Sequence, residues 1–282
     1  MTLEWFAAIP EARRRLAEVR ENARTIGLVP TMGALHGGHG ALIEHARRET
    51  DCVVVSIFVN PIQFDRPEDY EAYQVNLERD RDFCETRGVD IIFAPAPSAV
   101  YAPQHNTFVE VMRLPDHLCG KFRPGHFRGV ATVVAKLLNI VAPDKAYFGE
   151  KDVQQLAIIQ RMVADLNIPV EIVPVATVRE PDGLASSSRN QRLSPEERRI
   201  APALFEALDA ARSRVAAGCV EVSEIRQAAL LRLQKEPQIR VEYLEVVDPL
   251  TMAPVENVAG PVRIAAAVWL GATRLIDNVY CA

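Results

Sequence analysis

Apolar runs of strand length alternate with helical segments through the first 175 residues of the chain. The run CVVVSIFV at residues 52–59 is apolar on both faces, which is typical of a strand buried in a parallel sheet. Other short apolar runs predict strands at residues 25–29, 89–93, 145–148 and 170–175. The segments between them predict helices at residues 40–48, 77–87, 127–141 and 152–166. This βαβ order predicts an α/β fold with a Rossmann-like, doubly wound parallel sheet, whose ligands bind beyond the carboxyl ends of the strands.

The pattern changes after residue 175. A polar loop at residues 179–194 leads into a helix that begins at Pro195, with Ser194 as its N-cap. A second helix is predicted near residues 222–234, and strand-like runs follow at residues 241–247, 262–269 and 274–279. We therefore predict two domains, a Rossmann-like domain at residues 1–175 and a smaller C-terminal α+β domain with an antiparallel sheet at residues 176–282.

Composition and charge exclude several classes of protein. The formal net charge of -5 gives no support to a nucleic-acid partner, because non-specific binding needs a basic surface. The strongest apolar run, at residues 52–59, is far shorter than the roughly 20 residues of a membrane-spanning helix. The N-terminal segment carries acidic residues and does not resemble a signal peptide. Five scattered cysteines without CxxC spacing predict neither disulfides nor structural zinc, so we expect a cytoplasmic protein with no membrane partner.

Two histidines lie in a glycine-rich turn directly after a predicted strand. His36 and His39 are three positions apart in PTMGALHGGH, residues 30–39. Glycines let this backbone approach a ligand closely, and the helix that follows directs its first N–H groups and its positive dipole end to the same place. Two imidazole donors added there suit a triphosphate. Taken alone, the motif also fits a turn with two surface histidines, or a zinc pair that needs a further ligand.

Polar side chains also follow the buried strand at residues 52–59. Asn60 and Gln63 lie at its carboxyl end, where neutral amides can bind a small hydroxylated acid without adding charge. The structural alternative is an ordinary Asn-Pro turn. The sequence RPGH at residues 123–126 offers a guanidinium and an imidazole just before the apolar helix.

Two later segments add cationic and hydroxyl groups. Lys151 follows the strand at residues 145–148 and can neutralise phosphate oxygens, with Gln155 one helical turn further on. Asp152 is a candidate N-cap of the helix that follows. The polar loop at residues 182–190 has a hydroxyl-and-guanidinium group suited to pyrophosphate, made of Ser187, Ser188 and Arg189. Such a loop also fits a solvated linker.

Together and in this order, these blocks resemble the pantothenate synthetase (pantoate–β-alanine ligase) family. The resemblance runs from about Gly27 to the end of the chain and is densest in PTMGALHGGH, SIFVNPIQF, KFRPGHFRGVATVVAKLLNIVAPDKAYFGEKDVQQL and DGLASSSRNQRLS. HGGH resembles the HIGH signature of adenylate-forming nucleotidyltransferases. The resemblance implies that pantoate and ATP form pantoyl adenylate and pyrophosphate, and that β-alanine then displaces AMP to give pantothenate. It also implies a homodimer, Mg²⁺ with ATP as co-substrate, and no organic prosthetic group.

The resemblance further implies a role for each matching residue. The catalytic residues would be His36, His39, Lys151 and Arg189. The ATP-binding residues would be Met32, His36, His39, Gly149, Lys151, Asp152, Val178, Ser187, Ser188 and Arg189. The pantoate-binding residues would be Pro30, Met32, Phe58, Asn60, Gln63 and Gln155. Asp80 matches a position associated with magnesium. The first domain would bind nucleotide and pantoate, and the second would close over the site.

Some positions depart from the family pattern. Ser186 replaces a Met or Leu, Arg192 replaces a tyrosine, and Gln74-Val75 replaces Pro-Arg after Tyr73. Three other classes also fit single motifs: a nucleotidyltransferase whose product keeps the nucleotide, a non-enzymatic nucleotide-binding module and a zinc hydrolase. The two glutamines favour a hydroxy-acid substrate over the first class, and the combined histidine, lysine and arginine set favours an enzyme over a module.

Overall fold

The structure, a computed structural model, describes residues 3–71, 73 and 75–282, so Gln74 lies outside the described residues. The chain divides into two compact units. Unit 1 comprises Met1–Val111, Arg123–Glu150 and Ile158–Ala176. Unit 2 comprises Met112–Phe122, Lys151–Ala157 and Thr177–Ala282. Two segments from before residue 175 therefore group with the C-terminal part of the chain.

Unit 1 contains a six-stranded parallel sheet in the order β1-β4-β3-β2-β5-β6. Its strands are β1 (Glu4–Phe6), β2 (Ile26–Thr31), β3 (Cys52–Ile57), β4 (Ile91–Phe93), β5 (Lys145–Gly149) and β6 (Glu171–Val175). From β2 the chain builds the sheet in one direction through β3 and β4, and then in the other through β5 and β6. The strand order thus reverses between β2 and β5, and ligands of doubly wound sheets bind at such a reversal.

The helices of the first 175 residues connect these parallel strands. They are α1 (Ile9–Glu21), α2 (Gly37–Glu49), α3 (Pro67–Glu71), α4 (Leu77–Glu85), α5 (Pro97–Val100), α6 (Leu118–Phe122), α7 (His126–Val141) and α8 (Val153–Asp165). Apolar residues of β2, β3 and α2 form one core with Tyr147, whose side chain is fully buried. The parallel sheet and its connecting helices confirm the predicted Rossmann-like fold.

Unit 2 contains an antiparallel sheet of three strands, β7 (Ile239–Val247), β8 (Val262–Leu270) and β9 (Thr273–Cys281). Three helices pack with it: α9 (Pro195–Ile200), α10 (Ala203–Ala216) and α11 (Val222–Leu233). Ser194 caps α9 as predicted, since its Oγ accepts from the N–H of Glu197 at 3.2 Å and the Glu197 carboxylate accepts from Ser194 N–H. The antiparallel sheet with its helices confirms the predicted α+β region.

Among the described residues, no helix is both long enough and apolar enough to cross a bilayer.

Candidate active site

The turn after β2 is held by a buried carboxylate. Gly33 has a φ of +80° and Ala34 a φ of +52°, so two consecutive residues adopt the left-handed region. The Asp80 carboxylate of α4 accepts from the N–H of Ala34 at 2.9 Å and from the N–H of Leu35 at 2.8 Å. At the start of the turn, Thr31 Oγ1 accepts from Gly33 N–H at 3.1 Å. These bonds fix the backbone that presents the histidine motif.

Asp80 does not fit the predicted role of a magnesium ligand. Its side chain is only 1% exposed, and each carboxylate oxygen already accepts a backbone N–H. Burial raises the pKa of this carboxyl above its usual range, although the hydrogen bonds from Leu35 and Ala34 act in the opposite direction. Among the described residues, no group of three or more His, Cys, Asp or Glu side chains is arranged to hold a metal. The structure therefore assigns Asp80 to the turn.

His36 and His39 stand at the N-terminus of α2 and point their Nδ1 atoms at the backbone. Gly38 N–H donates to His36 Nδ1 at 3.1 Å, and His36 N–H donates to His39 Nδ1 at 3.3 Å. Because both Nδ1 atoms accept, each neutral ring carries its hydrogen on Nε2. The ring centroids are 4.1 Å apart. Two imidazole Nε2–H donors and the first N–H groups of a helix therefore lie together, an arrangement that is suited to an anion.

The predicted pantoate residues beyond β3 differ in their burial. Phe58 and Asn60 are buried, whereas Gln63 is half-buried at the end of a short 3-10 turn, Pro61–Gln63. Asn60 Nδ2 donates to Gly129 O at 3.0 Å and to Gln63 Oε1 at 3.3 Å, and Asn60 Oδ1 accepts from Tyr101 OH at 2.8 Å. Asn60 thus orients the Gln63 amide so that its Nε2 donors face away from Asn60.

The RPGH sequence supports the same turn. Arg123 Nε donates to Asp65 Oδ1 at 2.8 Å, and an Arg123 N–H lies 3.2 Å from His126 Nε2. A guanidinium can only donate, so His126 Nε2 accepts and its Nδ1–H donates to Gln63 O at 2.8 Å. Arg123 and His126 were candidate donors to a ligand, but the structure shows both bonded to the segment that carries Gln63.

The segment between β5 and α8 carries the predicted residues Gly149, Lys151, Asp152 and Gln155. Gly149 ends β5, and a Cβ added there would meet no described atom within 4 Å. Lys151 Nζ lies 3.6 Å from Asp152 Oδ2 in the 3-10 turn Glu150–Asp152, so α8 begins one residue later than predicted. Gln155 is half-buried. Its neighbour Gln154 is buried and donates to Leu114 O and His117 O, so Gln154 has a structural role.

The serine-rich loop of unit 2 is a short hairpin followed by a capped turn. Ser186 N–H donates to Val178 O at 2.8 Å, and Arg179 pairs with Ala185 across the hairpin. Ser187 Oγ accepts from Arg189 N–H at 3.3 Å and caps the 3-10 turn Ser188–Arg192. A cavity of unit 2 brings several predicted residues together with side chains that the sequence reasoning missed: Lys151, Ser187, Arg189, Asn190, Arg274 and Asp277.

The departures from the family pattern lie close to these segments. Tyr73 OH donates to Gly33 O at 3.4 Å, and the Val75 side chain packs where a Gly33 Cβ would project. Ser186 contributes its backbone to the hairpin, and Arg192 ends the 3-10 turn. Tyr73 and Val75 therefore both lie against the turn after β2.

A doubly wound parallel sheet with a glycine-rich turn, paired imidazoles and a helix N-terminus at its strand reversal defines an enzyme of the nucleotide-binding α/β class. A family model described as pantoate-beta-alanine ligase matches residues 4–280. The chain belongs to the pantoate–β-alanine ligase family, which condenses pantoate with β-alanine.

Individual relatives agree over the whole chain. The pantothenate synthetase of Moorella thermoacetica is 50% identical over 277 residues, which cover 98% of both proteins. The crystal structure of pantothenate synthetase from Thermus thermophilus has a TM-score of 0.93 and 46% identity, with 98% of each chain covered. Pantoate-beta-alanine ligase from Francisella tularensis, solved in complex with beta-gamma ATP and beta-alanine, has a TM-score of 0.82 and 34% identity, covering 99% of this chain and 97% of that one. The predicted family, enzyme class and fold are confirmed.

Proposed function

We propose that the chain forms pantoyl adenylate from pantoate and ATP and then transfers the pantoyl group to β-alanine, releasing AMP. The observation that carries this proposal is the pair of imidazoles at the N-terminus of α2, whose Nδ1 atoms both accept backbone N–H groups. The complex of the Francisella tularensis relative with beta-gamma ATP and beta-alanine supports the same substrates for this chain. A carboxylate oxygen of pantoate attacks the α-phosphorus of ATP, and the bond to the pyrophosphate oxygen breaks.

The first step needs alignment and charge neutralisation more than a protein nucleophile. His36 and His39 donate through Nε2 to phosphate oxygens whose negative charge grows as the α-phosphorus is attacked. The backbone N–H groups at the start of α2 add to the same field. Because backbone groups hold both Nδ1 atoms, the rings are oriented before ATP binds, which avoids reorganisation during reaction.

The leaving pyrophosphate is assigned to residues of unit 2. Lys151 and Arg189 supply positive charge and line the same cavity as Ser187. Ser187 Oγ accepts a backbone N–H, so its own hydrogen remains available to donate to a phosphate oxygen. Ser188 begins the adjoining turn. The nucleoside is assigned to the half-buried residues Met32, Gly149, Asp152 and Val178.

Pantoate is assigned to neutral groups. Gln63 and Gln155 donate to its hydroxyl and carboxylate groups, and Pro30, Met32 and Phe58 contact its carbon skeleton. A guanidinium paired with the carboxylate would bind it tightly and reduce its attack on phosphorus, whereas an amide holds it and leaves it nucleophilic. Asn60 takes part through Gln63, because its amide is buried and bonded to the protein.

Mg²⁺ is proposed to arrive with ATP, whose phosphate oxygens are suitable hard ligands. It supplies neutralisation of phosphate charge. No protein ligand is assigned to it, since the buried Asp80 carboxylate already accepts two backbone N–H groups.

In the second step the amine of β-alanine attacks the acyl carbon and the bond to the AMP oxygen breaks. We also propose the two domains at residues 1–175 and 176–282, a cytoplasmic location and, on the family resemblance, a homodimer that sedimentation analysis would detect.

The test follows the two half-reactions separately. With ATP and pantoate alone the protein should release pyrophosphate, and AMP should appear only when β-alanine is added. His36→Ala, His39→Ala and Lys151→Ala should each reduce pyrophosphate release by on the order of 100-fold or more. His45→Ala, which removes an imidazole from the same helix α2, is the matched control and should keep parental activity.

Three results would contradict the proposal in different ways. Near-parental pyrophosphate release by all three variants would overturn the residue roles. A nucleotide retained in the final product would indicate the nucleotidyltransferase alternative. ATP binding without pyrophosphate release would indicate a binding module, and hydrolysis that requires stoichiometric zinc would indicate a zinc hydrolase.

A further inference from the structure

Two consecutive polar residues of β9, Asp277 and Asn278, are buried. Asp277 is 3% exposed and Asn278 is 5% exposed, although neighbouring side chains of a strand project to opposite faces of the sheet. Burial of a carboxylate or an amide is unfavourable unless each polar atom has a partner. Both side chains find partners in the segments that carry the proposed ATP-binding residues of unit 2.

Asn278 contacts the backbone of Lys151. Asn278 Nδ2 donates to Lys151 O at 3.1 Å, and Asn278 Oδ1 accepts from Arg263 at 2.8 Å. Lys151 lies in the short turn between β5 and α8, where neither a strand ladder nor an α-helix fixes its carbonyl. The lysine side chain has four flexible carbons, so the position of its ammonium depends on a fixed backbone at the base. Asn278 provides that anchor.

Asp277 holds the base of the serine-rich hairpin. Its carboxylate accepts from two Arg179 nitrogens, at 2.6 and 3.0 Å. The same guanidinium donates to Gly183 O at 3.1 Å and lies 3.8 Å over the ring of Phe205. A planar guanidinium held by a bidentate carboxylate and an aromatic ring has a single orientation. The hairpin that begins at Arg179 leads directly to Ser187.

We propose that Asn278 and Asp277 are positioning residues for ATP, with Asn278 acting through Lys151 and Asp277 acting through Arg179 on the Ser187–Arg189 segment. One strand then sets the spacing between the lysine and the serine–arginine segment, because consecutive residues of β9 hold both. The inference rests on the proposed function, in which these groups bind the phosphates of ATP. If the two residues had a purely structural role, substituting them would lower the stability of unit 2 and leave ATP kinetics unchanged.

The test uses Asn278→Asp in the full-length protein. This change keeps an oxygen for Arg263 and replaces the donor to Lys151 O by a second oxygen, which repels the carbonyl. We expect kcat/KM for ATP, measured by pyrophosphate release, to fall about 10-fold or more, as displacements of catalytic groups by about 1 Å do. The KM for pantoate should stay within about 2-fold of the parent. Asn278→Ala, which removes the donor without adding charge, should show the same split between the two substrates.

Val279→Ala is the matched control for loss of stability. Val279 is the next residue of β9, is buried in the core of unit 2 and belongs to neither polar contact. It should lower the melting temperature while kcat/KM for ATP remains parental. An equal loss of ATP kinetics in Val279→Ala and the two Asn278 variants, at equal melting temperature, would show that Asn278 is only structural. Parental ATP kinetics in both Asn278 variants would also overturn the inference.

Lys151→Ala separates this inference from the proposed function. If Lys151→Ala is impaired and the Asn278 variants are not, only the positioning role fails. If Lys151→Ala keeps parental ATP kinetics, the proposed role of Lys151 itself fails. If Asn278 acts through the lysine, the Lys151→Ala/Asn278→Asp double variant should be no more impaired than Lys151→Ala alone. Fully additive losses would contradict that coupling.

Discussion

Gly129→Ala is the most discriminating single change, because two physical effects predict opposite signs. Gly129 lies within α7, where replacing glycine by alanine normally stabilises a helix by up to about 1 kcal/mol. Here, however, an added Cβ would lie 2.3 Å from Ile62 O and 2.7 Å from Gln63 Cα. A carbon and a carbonyl oxygen in contact are normally about 3.3 Å apart, so α7 and the 3-10 turn must separate by about 1 Å.

The steric effect should exceed the helix propensity. Both atoms in the contact belong to the backbone, so no side chain can rotate away, and overpacking of this kind costs about 1–3 kcal/mol. We therefore expect a net loss of stability and a melting temperature lowered by a few degrees. The displaced backbone carries Gln63, and Gly129 O also accepts from Asn60. The KM for pantoate should consequently rise by about 10-fold or more, with the KM for ATP nearly unchanged.

Steady-state kinetics and thermal unfolding together test the prediction for Gly129→Ala. Initial rates of pyrophosphate release, with pantoate and ATP varied separately, give the two KM values. Gly260→Ala is the control, since a Cβ at Gly260 would meet no described atom within 4 Å. A stabilised Gly129→Ala protein would refute the steric reasoning. A destabilised protein with parental KM for pantoate would refute the link between this contact and the pantoate site.

Three further predictions follow from the hydrogen bonds of the two units. His126→Asn keeps a donor near the position of Nδ1 and should retain the KM for pantoate, whereas His126→Ala should raise it about 10-fold; equal values in steady-state assays would argue against support of Gln63 through its carbonyl. Asp80→Asn can accept only one of the two N–H groups of the turn, so it should slow pyrophosphate release about 10-fold. The Mg²⁺ concentration needed for half-maximal rate should not change, and a higher value would support the metal role of Asp80. Burial raises the pKa of Glu242, but hydrogen bonds from Arg274 and Trp269 and the Arg274 charge bring that pKa below its usual value. The ionised Glu242 carboxylate therefore stabilises the fold at neutral pH, and this contribution is lost as the pH falls through the folded-state pKa. Urea unfolding between pH 7 and pH 3 should therefore show a smaller pH dependence for Glu242→Gln than for the parent, and identical slopes would contradict the assignment.

The sequence predicted the central strands and the long helices because their apolar periodicity is strong, as at β3 and α7. It did not predict β1, since Glu4–Phe6 has three residues and too few positions to show alternation. The helix predicted from Pro195 ends at Ile200, and α10 begins beyond Pro202, which lacks the N–H needed to continue the first helix.

The supporting residues of the site were harder to predict than the residues expected to face ligands. His36, Lys151 and Gln63 follow strand ends, and that local rule can be applied to a sequence. Asn278 lies 127 positions from Lys151, and Asp80 lies 46 positions from Ala34, so their contacts depend on the complete fold. Arg123 and His126 show the converse difficulty, because donor-rich residues near a site looked like ligands and are bonded to protein.

Burial separates these two kinds of residue for a physical reason. The proposed ligand-facing groups His36, His39, Gln63, Lys151 and Arg189 are half-buried, so water can solvate them before substrate arrives. Asp80, Asn60 and Asn278 are buried, and a buried polar atom must keep its protein partner because losing it costs about 1–3 kcal/mol. Such a group cannot exchange its partner for a substrate at low cost, but it holds its partner in one position. Buried amides and carboxylates bonded to backbone are therefore suited to preorganise the half-exposed donors. Substitutions at the two kinds of residue should differ in their effects on kinetics and on stability. Changes to the half-exposed donors should reduce kcat or raise the KM of a substrate with little loss of stability, and changes to the buried residues should affect both kinetics and stability.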